Sequence, residues 1–156
     1  MLIGDTSGYN KASGGKSYRV MIRLTKPADD PSASNQDLPP VIFPGGLASN
    51  LMTMSRHQDE LTSKHGFAVI NFDRLGVGLS DAYPRGATRP PSAADVAREM
   101  DYVMTHIDCI DANEKWIQVG GSMGTNVATA FMVLVPNRLC GFLNLDGLPH
   151  AFLQIQ

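Results

Sequence analysis

Four short apolar runs constrain the fold of this chain more than any other feature. They span residues 41–43, 67–72, 116–119 and 142–145, and a segment long enough for a helix separates each run from the next. Strands that are buried on both faces have this nearly continuous apolar character, and their alternation with helices indicates a parallel sheet with helical crossovers. The sequence therefore predicts an α/β fold in which helices flank a mostly parallel sheet.

Three segments between these runs are predicted to be helical. Residues 91–107 begin with Ser92 as a candidate N-cap and Asp95 three residues later, a variant of the capping box, and continue with an apolar stripe at helical spacing. Residues 125–135 are apolar nearly all round, so we expect this helix to be buried. Residues 51–64 are predicted to form a third, less regularly patterned helix.

The N-terminal part of the chain has a different pattern. Residues 17–24 alternate between apolar and polar side chains, which predicts a half-exposed antiparallel strand near a sheet edge. Residues 26–40 are polar and rich in proline and are predicted to form a loop. We interpret residues 1–16 as a flexible N-terminus and residues 17–156 as one partial core domain, because neither a repeat nor a composition boundary divides them.

Composition and charge argue against several classes of function. The 156 residues carry a formal net charge of -2 with scattered basic residues, which gives no electrostatic reason to bind nucleic acid or an anionic membrane. The N-terminus lacks the features of a secretory signal, and no apolar segment is long enough to cross a bilayer. Cys109 and Cys140 show no metal-ligand spacing, so we expect buried free thiols, no metal site and a cytoplasmic location.

The string IQVGGSMGTN at residues 117–126 is the most informative for function. It contains G-x-S-x-G, formed by Gly120, Ser122 and Gly124, between a predicted strand and a predicted buried helix. Glycines at these positions and at Gly121 relieve the collisions of a sharp turn. Ser122 is therefore a candidate nucleophile. The alternative is a glycine-rich turn with an incidental serine.

Two backbone amides are candidates for binding an oxyanion. The amide of Met123 would lie at a helix N-terminus, where unpaired N–H groups and the helix dipole favour a developing negative charge. The second amide is expected in the glycine turn PGGLASN at residues 44–50, since only backbone with little side-chain bulk can approach the reacting carbonyl. Either Gly46 or Leu47 would supply it. A tight turn without a catalytic role is the alternative.

A second glycine-rich string, DRLGVGLSD at residues 73–81, follows the second apolar run. Its glycines allow a compact loop beside the neighbouring strand ends. We expect Asp73 and Arg74 to fix the positions of loops rather than to contact a substrate.

These three strings, in this order, resemble the α/β-hydrolase superfamily over residues 41–150. They are most similar to the branch with a GGSMG elbow and a DRxGxGxSD loop, which includes prolyl-aminopeptidase-like peptidases, carbon–carbon bond hydrolases and epoxide-hydrolase relatives. The resemblance implies a serine hydrolase that acts on an ester, amide or related carbonyl bond of a small molecule or short peptide, without a cofactor. One departure is that Pro44 or Gly45 stands where the family usually has a histidine in the oxyanion turn.

The resemblance also implies a triad in the chain order serine, acid, histidine. After Ser122 the polar candidates are Asp146 and His150. Asp146 follows the fourth apolar run, where some members of the superfamily carry their acid, whereas the commoner position is one strand later. No strand follows His150 to bring it back over the serine, so we interpret it as an exposed loop residue.

The remaining histidines precede the serine and are interpreted as surface residues: His57, His65 and His106. We therefore expect the catalytic histidine and the last strands of the fold to lie beyond Gln156. This expectation makes the chain the N-terminal half of a hydrolase, with a weakly active or inactive site.

Two other functions remain open. A non-catalytic fragment would act by association with another chain through an uncovered sheet edge. A dinucleotide-binding fold would use Gly121 and Gly124, with Asp146 about twenty residues further on. Against that fold, Val119 occupies the first glycine position and the unit comes late in the chain.

Overall fold

The structure is a computed structural model that describes residues 2–3, 18–27, 38–44, 49–82, 91–107, 111 and 113–145. The strands of this part, in chain order, are β1 (Leu2–Ile3), β2 (Tyr18–Arg19), β3 (Ile22–Thr25), β4 (Val41–Phe43), β5 (Val69–Phe72), β6 (Trp116–Gly121) and β7 (Leu139–Leu145). Its helices are α1 (Ser55–His65), α2 (Ala93–Thr105) and α3 (Met123–Leu134), and a 3₁₀ turn (Pro136–Arg138) precedes β7.

A five-stranded sheet in the order β3-β5-β4-β6-β7 organises the described residues. Strands β5, β4, β6 and β7 run parallel to one another, which confirms the prediction of a mostly parallel α/β sheet. Strand β3 pairs antiparallel with β5 at one edge, which confirms the predicted antiparallel edge strand. That segment is interrupted at Val20 and Met21, and β2 pairs with β1 in a separate two-stranded sheet.

Apolar side chains are buried on both faces of the five-stranded sheet. Ile42 belongs to a cluster that includes apolar residues of α2 and α3, whereas its neighbours Val41 and Phe43 join a second cluster that includes Leu61 of α1. Successive side chains of a strand point to opposite faces, so most positions of a strand that is covered on both sides are apolar, with Asn71 and Gln118 as buried polar exceptions. This arrangement explains why the strand segments are apolar runs and do not alternate.

The two helices that share one face of the sheet begin near their predicted positions. The Ser92 hydroxyl accepts the Asp95 N–H at 3.2 Å, and the Asp95 carboxylate accepts the Ser92 N–H at 2.9 Å, which confirms the capping box of α2. Helix α3 is buried along most of its length, but Val133 and Leu134 are 62% and 38% exposed. The prediction of a helix buried all round is therefore wrong for the last turn, because no described element covers its outward side.

Two predictions about surface residues have different outcomes. His57, His65 and His106 are exposed, as predicted. Cys140 is a free thiol but it is exposed, so the prediction of a buried thiol is wrong there, because β7 is the outermost strand of the described sheet. Cys109 lies outside the described residues. In the part of the chain that is described, no helix has the length and apolar character needed to span a membrane.

Candidate active site

Ser122 lies in a sharp turn between β6 and α3. Its φ of 51° and ψ of -125° make it the single non-glycine residue with a positive φ in the described ranges. These angles correspond to the first central position of a type II′ turn, which glycine usually occupies. A serine held in such a conformation stores strain of about 1–3 kcal/mol. Ser122 is exposed, and its side chain makes no capping hydrogen bond to α3.

The close approach of α3 to β6 requires a glycine at position 120. A Cβ atom on Gly120 would lie 2.9 Å from the carbonyl oxygen of Gly124 and 2.9 Å from the Cα atom of Thr125. Both atoms belong to the backbone, so neither can rotate away. Gly124 itself is buried in the first turn of α3. The helix can therefore begin directly after the strand, which presents Ser122 at the carboxyl end of the sheet.

Strand β7 brings another chain segment to the same end of the sheet. Leu145 pairs in register with Gly121, whose Cβ position would lie 3.4 Å from the Leu145 carbonyl oxygen. The Thr125 hydroxyl donates to Asn144 Oδ1 at 2.9 Å and so ties the first turn of α3 to β7. Asp146 follows Leu145 in the chain but lies outside the described residues.

The backbone at the start of α3 is arranged to meet negative charge. Met123 is the first residue of the helix, and the Thr125 N–H already donates to the Ser122 carbonyl oxygen at 3.1 Å. A helix N-terminus carries a partial positive charge, and its first amides have no partner within the helix. The structure thus places the Met123 amide beside the serine. The other sequence candidates for this function, Gly46 and Leu47, lie outside the described residues, and so does His150.

The chain on either side of residues 45–48 is described. Before this segment, β4 lies between β5 and β6 in the sheet, and Pro44 is buried. After it, Asn50 begins a tight turn. The Asn50 side-chain oxygen accepts the Met52 N–H at 3.0 Å, and its backbone carbonyl accepts the Thr53 N–H at 3.0 Å.

Asn71 of β5 and Asp73, which follows this strand, form hydrogen bonds with the two backbone polar groups of Leu51. The Leu51 N–H donates to Asp73 Oδ1 at 2.7 Å, and the Leu51 carbonyl accepts from Asn71 Nδ2 at 3.3 Å. Asp73 and Asn71 are only 1% and 2% exposed. The second oxygen of Asp73 accepts the Leu79 N–H at 2.8 Å, which confirms the prediction that Asp73 pins loops. The sequence patterns described above did not identify Asn71 as a residue of this region. A polar residue inside the apolar run 67–72 could have indicated it.

Helix α2 contributes a buried side chain that contacts the loop after β5. The Glu99 carboxylate accepts the Leu75 N–H at 3.2 Å. Burial raises the pKa of Glu99 from 4.5 to about 7, while the Leu75 amide and the Arg74 guanidinium oppose that rise. A Cβ atom on Gly78, which has a φ of 58°, would overlap the Asp73 carboxylate. The loop therefore needs a glycine at position 78. Glu99, like Asn71, was not identified from the sequence patterns.

Comparison with known proteins identifies the family. A family model described as alpha/beta hydrolase fold matches residues 39–155, well over half of the chain. The chain belongs to the α/β-hydrolase fold family. The predicted fold class is thereby shown, and the dinucleotide-binding alternative is wrong, because it requires a different fold. No curated protein matches the chain.

Solved structures of esterases share this hydrolase fold. They include a thermophilic esterase from Thermogutta terrifontis at 22% identity and a TM-score of 0.69. An esterase from Exiguobacterium antarcticum has 15% identity and a TM-score of 0.63, and a carboxylesterase from Nitrososphaera gargenis has 16% identity and a TM-score of 0.68. The matches cover 95%, 94% and 94% of this chain. The hydrolase-fold chain spans 46% of the length of each of these three structures.

An apolar groove of about 430 Å³ lies on the α1 side of the hydrolase-fold sheet. Its walls include Phe43 of β4, Leu61 of α1 and two residues of β7, Leu143 and Leu145. The two β7 side chains are 51% and 44% exposed. Ser122 is not among the described residues that line this groove, although the lining residue Leu145 pairs with Gly121 next to the serine.

None of the three described histidines is placed as a base for Ser122. His57 and His65 lie on α1 and line the groove, and His106 ends α2 with its ring Nδ1 2.8 Å from the Tyr102 carbonyl oxygen. Among the residues that the structure describes, no group of three or more His, Cys, Asp or Glu side chains could hold a metal ion.

Proposed function

We propose that Ser122 is the nucleophile of a serine hydrolase that cleaves an ester, amide or related carbonyl bond in a small molecule or short peptide. The observation that carries this proposal is the strained, exposed serine between β6 and α3. Strain of this kind persists only where the surrounding structure imposes it, and it concentrates at functional sites. Membership of the hydrolase fold family and the likeness to three esterases support an ester as the substrate class.

Within the family, we place this chain in the branch of prolyl-aminopeptidase-like peptidases, carbon–carbon bond hydrolases and epoxide-hydrolase relatives. The GGSMG elbow around Ser122 and the loop at residues 73–81 support this placement. Within this loop the Asp73 carboxylate accepts the Leu79 N–H, and Gly78 lies where a Cβ atom would overlap that carboxylate.

In the proposed reaction, Ser122 Oγ attacks the carbonyl carbon of the substrate. A new C–O bond forms while the π electrons of the carbonyl move to its oxygen, and the serine proton passes to a base. The amides of Met123 and of either Gly46 or Leu47 donate to the oxyanion. Collapse of the intermediate expels the alcohol or amine, which takes the proton from the base. Water then hydrolyses the acyl-serine by the same steps, and no cofactor is needed.

The acid and the base of the triad are expected after Ser122 in chain order. Asp146 is the proposed acid, because it follows Leu145, which pairs with Gly121 beside the nucleophile. The described residues present the serine without a base. A serine hydroxyl without a base reacts slowly and keeps only the help of the oxyanion donors, so we expect weak activity from the 156-residue chain.

Covalent labelling with a fluorophosphonate tests the proposal, because the probe reacts with activated serines and leaves a phosphonyl group on Oγ. Without a base we expect slow labelling of Ser122 in the folded chain, still faster than in the unfolded chain because the oxyanion amides remain, located by mass spectrometry of its peptides, and no label at this peptide in Ser122→Ala. Ser63→Ala is the control, since Ser63 is an exposed serine within α1 and away from the strand-to-helix turn. Equal total labelling of the wild type and Ser122→Ala, or equal labelling after unfolding in urea, would overturn the proposal.

A second candidate function is self-association through β7. This strand is the last in the order of the described sheet, presents Leu143 and Leu145 to solvent, and contains neither proline nor a charged residue. Charges and prolines are the means by which natural edge strands avoid pairing. Sedimentation velocity should show a concentration-dependent dimer that Leu143→Lys abolishes. A wild-type chain that remains monomeric at high concentration would refute this candidate.

A further inference from the structure

We infer that Thr125 is a positioning residue of the Ser122 site, which holds the nucleophile candidate in its strained conformation through contacts with β6 and β7. The inference rests on the proposed function, because it concerns the geometry in which Ser122 and the Met123 amide meet a carbonyl group. It assigns to Thr125 a role that acts through the backbone of the turn, without contact to the substrate.

The strained backbone of Ser122 requires a cause outside the residue itself. At a φ of 51° and a ψ of -125°, the turn would relax if the start of α3 could move away from the end of β6. Strain of this kind persists only where the surrounding structure fixes the chain on both sides of the residue. Before the serine, the sheet fixes the chain, because Gly121 pairs in register with Leu145 of β7. The first turn of α3 must therefore be fixed as well.

Thr125 makes contacts on both sides of the serine turn. Its N–H donates to the Ser122 carbonyl oxygen at 3.1 Å. Its hydroxyl donates to Asn144 Oδ1 of β7 at 2.9 Å and lies 3.4 Å from the Gly120 carbonyl oxygen of β6. The residue is only 2% exposed, and hydrogen bonds are stronger in such surroundings than in water. One buried residue thus joins the first turn of α3 to the strand before the elbow and to the next strand of the sheet.

The direction of the Thr125 hydroxyl distinguishes this residue from an ordinary helix threonine. Threonine hydroxyls within helices usually bond to a carbonyl three or four residues earlier in the same helix. Thr129, one turn later in α3, follows this pattern, because its hydroxyl donates to the Thr125 carbonyl oxygen at 2.9 Å. Helix α3 begins at Met123, so it offers Thr125 no such carbonyl. The Thr125 hydroxyl bonds across to β7 instead, which is a contact that helix formation alone does not require.

This contact bears on the reaction because Ser122 and Met123 are consecutive. The turn that orients the serine hydroxyl therefore also orients the Met123 N–H. An oxyanion donor must lie about 2.7–3.1 Å from the position of the oxyanion, and a misplacement of about 1 Å costs on the order of a hundredfold in rate. A hydrogen bond and the strain of one residue have comparable free energies. Loss of the Thr125 side-chain bond should therefore let the turn relax and move both groups.

Fluorophosphonate labelling of the full chain at Ser122 tests the inference in matched threonine variants. Thr125→Val removes the hydroxyl and nearly keeps the shape of the side chain, and we expect slower labelling by about three- to tenfold. Thr125→Ser keeps the hydroxyl and should label within about twofold of the wild type, although loss of a buried methyl group costs about as much stability as loss of a hydrogen bond. Thr129→Val is the control, since it removes a hydroxyl that bonds within the same helix, and should also stay within about twofold.

Asn144→Ala removes the acceptor of the same hydrogen bond from its exposed end. It should slow labelling as Thr125→Val does, and the double variant should be no slower than Thr125→Val alone, because both changes remove one bond. Wild-type labelling in Asn144→Ala overturns the inference. Equal labelling of Thr125→Val and Thr125→Ser, or equal slowing in Thr129→Val, overturns it too, because labelling would then follow stability and not the hydroxyl.

Urea unfolding gives a test that does not depend on catalysis. Ser122→Gly should raise the unfolding midpoint of the wild-type chain, and the same change should raise it by about half as much or less in the Thr125→Val background. In the Thr129→Val background the full shift should remain. Equal shifts in all three backgrounds would show that Thr125 does not impose the strain, and so refute the inference. If the folded wild-type chain labels no faster at Ser122 than the unfolded chain, the proposed function fails together with the role of Thr125 in the reaction, and the midpoint shifts still decide whether Thr125 holds the turn.

Discussion

Replacement of Ser122 by glycine should stabilise this chain while it removes the candidate nucleophile. At a φ of 51° and a ψ of -125°, a residue with a Cβ atom carries strain of about 1–3 kcal/mol. Glycine avoids this strain but loses about 0.5–1 kcal/mol more backbone entropy on folding. The difference predicts that Ser122→Gly raises the free energy of unfolding by about 1 kcal/mol.

Ser122→Ala is the control for this prediction. It keeps the Cβ atom and therefore the strain, and it removes a hydroxyl that makes no capping hydrogen bond to α3. We expect its free energy of unfolding to stay within about 0.5 kcal/mol of the wild type. The pair of variants thus separates the strain of the backbone from any contribution of the side-chain oxygen.

Urea unfolding followed by tryptophan fluorescence measures both variants. The chain has one tryptophan, Trp116, which is fully buried at the start of β6, the strand that leads to the elbow. The m-values should agree among the three proteins, so that a shift of the midpoint reports stability. If Ser122→Gly is no more stable than Ser122→Ala, the elbow is not strained, and the argument for a functional serine loses its physical basis.

Two further predictions concern the surroundings of the site. Because the pKa of Glu99 is raised from 4.5 to about 7 in the folded chain, the native state binds more protons than the unfolded state between these values, and wild-type stability should fall as the pH rises through this window. Glu99→Gln should remove that slope and gain roughly 3 kcal/mol above pH 7 in urea unfolding; a slope that persists in the variant would contradict the assignment. Gly120→Ala should cost about 1–3 kcal/mol and slow Ser122 labelling, because its Cβ meets the backbone of α3. Gly141→Ala, whose Cβ would lie 3.4 Å from Ile117 Cγ1, should match the wild type in both measurements, and equal losses in the two variants would refute the role of the elbow glycine.

Much of the architecture follows from local patterns in the sequence. Apolar runs mark the buried strands, and the capping box at Ser92 marks the start of α2. The elbow around Ser122 was predictable for the same reason, since a sharp strand-to-helix turn with a close backbone approach needs Gly120 whatever the rest of the fold does. These features depend on neighbours within a few residues, so their signals lie in consecutive positions of the chain.

The tertiary structure alone decided how the segments meet. Strand order places β4 between β5 and β6, and Asn71 and Asp73 contact Leu51 from 20 and 22 residues away in the chain. The exposure of Cys140 and the raised pKa of Glu99 likewise depend on which elements cover each residue. A sequence pattern specifies which face of an element is apolar, but pairing and burial are set by long-range contacts, whose free energies depend on the whole arrangement of the chain.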